Sequence, residues 1–150
     1  MNVHPIARVR REHRAVEQDL GRLVRMVAAA DRTTPPRTLL TALREFVGTC
    51  QRRIGPHFDV EERHIYPHLR DCLPEESAAV DDALREHDTL RELIGLLRLR
   101  SDDLRAGAPD SGTDIAETIR DFATLWRAHA HRVDHVVAPL LKTLNEEPHG

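Results

Sequence analysis

Residues 43–68 read LREFVGTCQRRIGPHFDVEERHIYPH, and steps of four and three along them pick out Leu43, Val47, Cys50, Ile54, His57, Glu61, His64 and His68. Such an alternation is the seam that an α-helix buries against its neighbours. Here the first half of the seam is apolar and the second half is imidazole and carboxylate, so the helix carries a polar load into a place where core belongs. Gly55 and Pro56 lie inside the run. Proline lacks an N–H and crowds the carbonyl four residues back, which either kinks the helix just before His57 or divides it there. In both cases His57 and Glu61 stand one turn apart on one face.

Three more segments repeat the theme. Ile6, Val9, Val16, Leu20, Leu23 and Val27 alternate three and four apart once His13 fills the gap between Val9 and Val16. Val80, Leu84, His87, Leu90, Ile94, Leu97 and Leu104 form a third stripe. Ile115, Ile119, Phe122, Trp126, His129, Val133, Val136 and Leu140 form a fourth, on which His129 is the one polar residue. Breakers separate them: DRTTPPR at 31–37, whose prolines can open the next helix, then RDCLPEE, then AGAPDSGT. Four helices joined by short connections predict an all-α fold, an antiparallel up-down-up-down four-helix bundle filling one domain over residues 1–150.

Composition narrows the partners. The chain has 150 residues, 40% of them hydrophobic, which supports one core and not two. A net charge of -3, with both signs spread along the chain, leaves no footprint for nucleic acid. No apolar run is long enough for a membrane span, and the N-terminus MNVHPIARVRREHR has no signal-type stretch, so a cytoplasmic location is expected. Lys142 is the one lysine among 22 basic residues, a bias that fits a GC-rich bacterial genome. Cys50 and Cys72 lack CxxC spacing and indicate neither a disulfide framework nor a thiolate metal site.

The four segments also contain a duplication. RREHRAVEQDLGRL around His13 is similar to LREHDTLRELIGLL around His87, and His57 and His129 are each followed ten residues later by proline, Pro67 and Pro139. The offsets are 74 and 72 residues, so a whole helix pair is repeated. A single core histidine is ordinarily satisfied by a carbonyl or a neighbouring side chain. One on every seam, with Glu61 among them, would be costly in a dry core unless the rings share a cation. Nitrogen and carboxylate donors without thiolates suit iron, manganese or zinc.

These residues resemble the hemerythrin family, in the branch often called the HHE cation-binding domain. The resemblance runs from about Ile6 to Leu144 and rests on Glu12-His13, on His57-Phe-Asp-Val-Glu61-Glu62 through Tyr66-Pro67, on Glu86-His87, and on His129 through Asp134 to Pro139. It implies two irons per chain in an oxo- or hydroxo-bridged pair, one held by His13 and His57, the other by His87 and His129, with Glu61 bridging. Many members of that branch have a glutamate four residues after the last histidine, where this chain has Val133; the animal oxygen carriers have an aspartate five residues after it, here Asp134. An offset of five turns a side chain by about 140° on a regular helix, so Asp134 serves as the second bridge if the helix is locally widened. Oxygen carriers also present two histidines four apart on the third helix. Here Ala83 and Arg91 flank His87, which leaves His64 as the candidate substitute ligand.

The resemblance implies a protein that binds dioxygen, peroxide or nitric oxide. The missing histidine points as well to an enzyme with catalase-like disproportionation of peroxide, in which an inward Arg91 would hold the anion, and iron storage or sensing is a further alternative. A ferritin-like centre needs two Glu-x-x-His pairs on its helix seams, and the seams have one, Glu61 to His64, the other such spacing being Glu146 to His149 at the C-terminus. A helical module whose seam histidines switch with pH is the reading without metal. His68 is expected at a cap or half exposed, His131 and His135 on a solvated face, and Trp126 as core filler that also excludes water.

Overall fold

The computed structural model describes residues 5–29 and 37–146, so most of the first proline-bearing connection lies outside the described residues. Four helices follow in order: α1 (Pro5–Ala29), α2 (residues 37–72), α3 (Ser77–Ala106) and α4 (residues 111–146). α1 and α3 each pack on both α2 and α4 in an all-α four-helix bundle, and the C-terminal stretches of α2 and α4, residues 66–72 and 138–146, also meet. Among the described residues there is no strand, and no helix is long and apolar enough to cross a membrane.

The turn from α3 to α4 shows how local chemistry ends a helix. Gly107 adopts φ 72°, its N–H bonds to the Leu104 carbonyl, and the Ala108 N–H reaches back to Asp103. This is the left-handed glycine closure of a helix C-terminus, and it returns the chain into α4 at Ser111.

Prolines do not break α2 and α4. Instead α2 widens into π turns at Cys50–Ile54 and Glu61–Ile65, and α4 into one at Val133–Val137. Each π turn is followed by one residue and then a proline: Gly55-Pro56, Tyr66-Pro67 and Ala138-Pro139. The proline cannot donate to the carbonyl four residues back, and its ring pushes that carbonyl away. The residue before it bonds five residues back, Tyr66 to Glu61 and Ala138 to Val133. At Pro56, therefore, the helix is neither divided nor stopped.

Each π turn absorbs an extra residue, and the buried face beyond the later two moves on by one. In α2 the residues buried after Glu61 are Ile65, Tyr66 and Leu69, while His64 and His68 face outward. In α4 Val137 and Leu141 are buried, and Val136 is 37% exposed. Both corrections to the expected seams have this one cause.

The core is in two parts. One apolar cluster contains Val16, Leu20, Ile54, Phe58, Leu90, Phe122 and Trp126; the other contains Val9, Ile65, Tyr66, Ala83, Val133 and Leu141. A fully buried Leu or Phe contributes roughly 1.5–3 kcal/mol, so both clusters stabilise the bundle substantially. Between them every helix carries its seam histidine: Val9, His13, Val16 on α1; Phe58, His57, Glu61, Ile65 on α2; Ala83, His87, Leu90 on α3; Trp126, His129, Val133 on α4.

Candidate metal centre

The four imidazoles turn Nε2 inward and fall into two pairs. Nε2 of His13 and His57 are 2.9 Å apart, and Nε2 of His87 and His129 are 3.3 Å apart. Glu61 lies between the pairs. Its Oε1 is 2.5 Å from Nε2 of His57 and 3.6 Å from that of His13, while its Oε2 is 3.0 Å from His87 and 3.3 Å from His129. All five side chains are at most 2% exposed.

Two nitrogens bound about 2.1 Å from one ion at near-right to tetrahedral angles stand about 3.0–3.4 Å apart. The observed pairs have that spacing. Glu61 Oε1 is buried yet accepts no hydrogen bond of good geometry, although a ring nitrogen lies beside it. Atoms gathered in this way fit a shared cation better than they fit one another. Ligand atoms of His13, His57, Glu61 and His129 all lie within 4.8 Å, close enough to hold a metal ion.

Around the inner atoms runs an outer ring of carboxylates. Nδ1 of His57 faces Glu12 at 3.3 Å, Nδ1 of His87 faces Glu62 at 3.1 Å, Nδ1 of His129 faces Glu86 at 3.5 Å, and Nδ1 of His13 faces Asp134 at 3.7 Å. Each carboxylate is paired with an arginine in turn: Arg8 on Glu12 at 2.9 Å, Arg91 on Glu62 at 2.5 Å, Arg132 on Glu86 at 3.0 Å and Arg10 on Asp134 at 3.5 Å. Glu62 makes a hydrogen bond with Nδ1 of His87, which places that ring's proton there and leaves its Nε2 lone pair free to point at a metal; the other three carboxylates stand near their Nδ1 atoms without a hydrogen bond.

The charges are consistent with this. Glu12 is held below its usual range chiefly by its neighbour His57. Burial would raise Glu62, Glu86 and Asp134, but their histidine and arginine partners outweigh it and lower all three. Burial would likewise raise Glu61, and the four imidazoles hold it well below the carboxylate range. His57 is pushed up to about 9, its carboxylate neighbours Glu12 and Glu61 overcoming the opposing effect of burial.

Aromatic rings close the layer. Phe58 stacks on His87 at 3.9 Å between centroids, and Trp126 meets His13 edge-on at 5.4 Å. From the other cluster the Tyr66 hydroxyl donates to Glu61 Oε2 at 2.5 Å. Burial, and then Glu61, raise the Tyr66 pKa, which keeps it a protonated donor.

Of the expected ligands, His13, His57, Glu61, His87 and His129 come together. Asp134, expected as the second bridge, approaches His13 on the Nδ1 side, away from the converging nitrogens, and is 26% exposed. The widened turn expected for it is present, but the residues that turn buries are Val133 and Val137. His64 is exposed because the π turn at Glu61–Ile65 buries Ile65 in its place. Arg91 lies at the surface on Glu62 and over the Phe58 ring, and not inward. Glu12, Glu62, Glu86 and Tyr66 were absent from the expected site. Glu62 and Asp134 share one offset from their histidines, a signal the duplication already held.

A family model, the hemerythrin HHE cation binding domain, matches residues 4–141. The chain belongs to this cation-binding family. No match is found among curated proteins or solved structures.

Proposed function

We propose that the chain holds two iron ions, one on His13 and His57 and one on His87 and His129, with Glu61 bridging, and that the pair binds dioxygen, peroxide or nitric oxide. The observation that supports this best is the placement of Glu61, whose two oxygens each face a different histidine pair. Donors of nitrogen and oxygen alone suit iron. Iron, when bound, supplies the electrons and the open coordination positions that a diatomic ligand needs. The chain's own residues do the rest. The outer carboxylates fix the rings, Tyr66 orients Glu61, and Phe58 and Trp126 keep bulk water from the layer. The free thiols of Cys50 and Cys72 suit a reducing, cytoplasmic setting.

A catalase-like enzyme is the second reading, and one observation favours it. Ala83, where a second histidine of α3 would stand, is fully buried among apolar residues, so each ion has two histidines and exchangeable positions beyond them.

Anaerobic loading with Fe(II) tests the proposal. Two irons per chain are expected, with a near-ultraviolet charge-transfer band on admitting air, both lost in His57→Ala combined with His129→Ala. Iron well below two per chain, unaltered by the double substitution, would sink it. Oxygen evolution from peroxide that disappears in Glu61→Ala selects the enzyme, and a band that bleaches reversibly on deoxygenation selects the carrier.

A further inference from the structure

We propose that the depression between α1 and α2, on the outer side of His57, binds a small molecule carrying two or more anionic oxygen groups, a diphosphate or a dicarboxylate in chemical class. It lies outside the polar layer and does not depend on which cation that layer holds.

Arginines stand on both sides of it. Arg8 and Arg11 of α1 and Arg52 and Arg53 of α2 surround a volume of about 380 Å³, which the short side chains of Ala15 and Pro56 also line. That size suits a small molecule. Arg8 and Arg11 are three residues apart and so share a helix face. Consecutive residues such as Arg52 and Arg53 ordinarily diverge, but these two belong to the π turn Cys50–Ile54. A π turn winds more residues into each turn, which narrows the angle between neighbours and lets both open on one depression.

The charge there is unbalanced. Glu12 is the one acidic residue of the lining, and both its oxygens are engaged, Oε1 by Arg8 at 2.9 Å and Oε2 beside Nδ1 of His57 at 3.3 Å. Arg11, Arg52 and Arg53 are exposed and have no carboxylate partner among the described residues. Arg85 and Arg127, elsewhere on the surface, are met by Asp82 and Glu17. Like charges gathered in one place repel, and a bound anion removes that cost. A single negative charge would leave most of it standing, so the ligand carries at least two. Guanidinium grips phosphate and carboxylate in the same forked manner, and both head groups therefore belong to the class. The Arg52 guanidinium lies back over Gly48, with Nη1 3.0 Å from where a Cβ would stand, so Arg11 and Arg53 are the principal donors.

Calorimetric titration of the protein as purified tests this, at fixed ionic strength so that general screening stays constant. The probes are ethanedisulfonate and succinate, which carry two charges on phosphate-like and carboxylate head groups, with methanesulfonate as the single-charge comparison. At least one divalent probe is expected to bind saturably, one per chain and about tenfold or more tighter than methanesulfonate, and the one that does so identifies the head group. Arg11→Ala and Arg53→Ala should each weaken it about tenfold, because each removes a charge-assisted contact. Arg105→Ala, which alters an exposed arginine in the last turn of α3, should leave it unchanged. Neither divalent probe saturating, or methanesulfonate binding as tightly as they do, would overturn the proposal. So would wild-type affinity in both Arg11→Ala and Arg53→Ala, which is what an anion held by the cation layer would show. An equal loss in Arg105→Ala would reduce the effect to overall charge and overturn it too.

Discussion

Helices α1 and α2 bring two histidines, a carboxylate whose two oxygens face different histidine pairs and a buried tyrosine to the centre of the bundle. Helices α3 and α4 bring two histidines and, at the matching places, Val133 and Ala138. Behind the rings the halves agree far better, Glu12 with Glu86 and Glu62 with Asp134. The difference teaches that carboxylates behind the imidazoles are built twice and the carboxylate between the histidine pairs once. Each ring must be oriented by its own partner, because one carboxylate reaches one Nδ1. A single carboxylate with two oxygens can span two ions by itself.

Giving the second half what it lacks is the sharpest way to break this comparison. Val133→Glu sets an unpaired carboxylate in an apolar cluster and, without metal, is expected to cost about 3 kcal/mol of stability. With cobalt or iron added, most of that loss should be recovered, because the new carboxylate acquires two cations. Urea unfolding with and without metal measures both. Equal losses in the two conditions would show that position 133 does not face the ions.

A smaller effect is expected from erasing the tyrosine that only the first half has. Tyr66→Phe removes a hydroxyl bonded to buried, ionised Glu61 and should cost about 1.5–3 kcal/mol in the metal-free protein. No measurable change in the unfolding midpoint would mean that Tyr66 does not support Glu61. Smallest of all, His64→Ala should change stability by less than about 0.5 kcal/mol and leave cation stoichiometry untouched, since His64 faces outward. Loss of an ion in that variant would return His64 to the ligand set.

The histidines and Glu61 were legible in the sequence because a polar residue on an apolar seam violates the pattern around it. So was the bundle, from four stripes separated by breakers. The register after Glu61 and after Val133 was not, because counting by four and three assumes an α-helix throughout. Tyr66-Pro67 and Ala138-Pro139 widen the turn, and Ile65 and Val137 are buried where His64 and Val136 were expected. The outer ring was hidden for a different reason. Glu12 precedes His13 in sequence but serves His57 on another helix, a pairing that exists only once the helices are side by side.

The polar layer between the two apolar clusters also governs how the helices line up lengthwise. Leucine-lined helices can slide past one another by a turn, about 5.4 Å, and still meet apolar groups. Here each helix carries one fully buried imidazole at the same height, and a slip of any of the four would set that ring against Leu90, Val16, Val133 or their neighbours with no partner for its nitrogens. The layer works as an alignment pin, in the manner of a lone asparagine that fixes the stagger of a coiled coil. It does so through Glu61, which reaches the histidines of all four helices, and through the outer carboxylates, each of which faces a ring on a neighbouring helix.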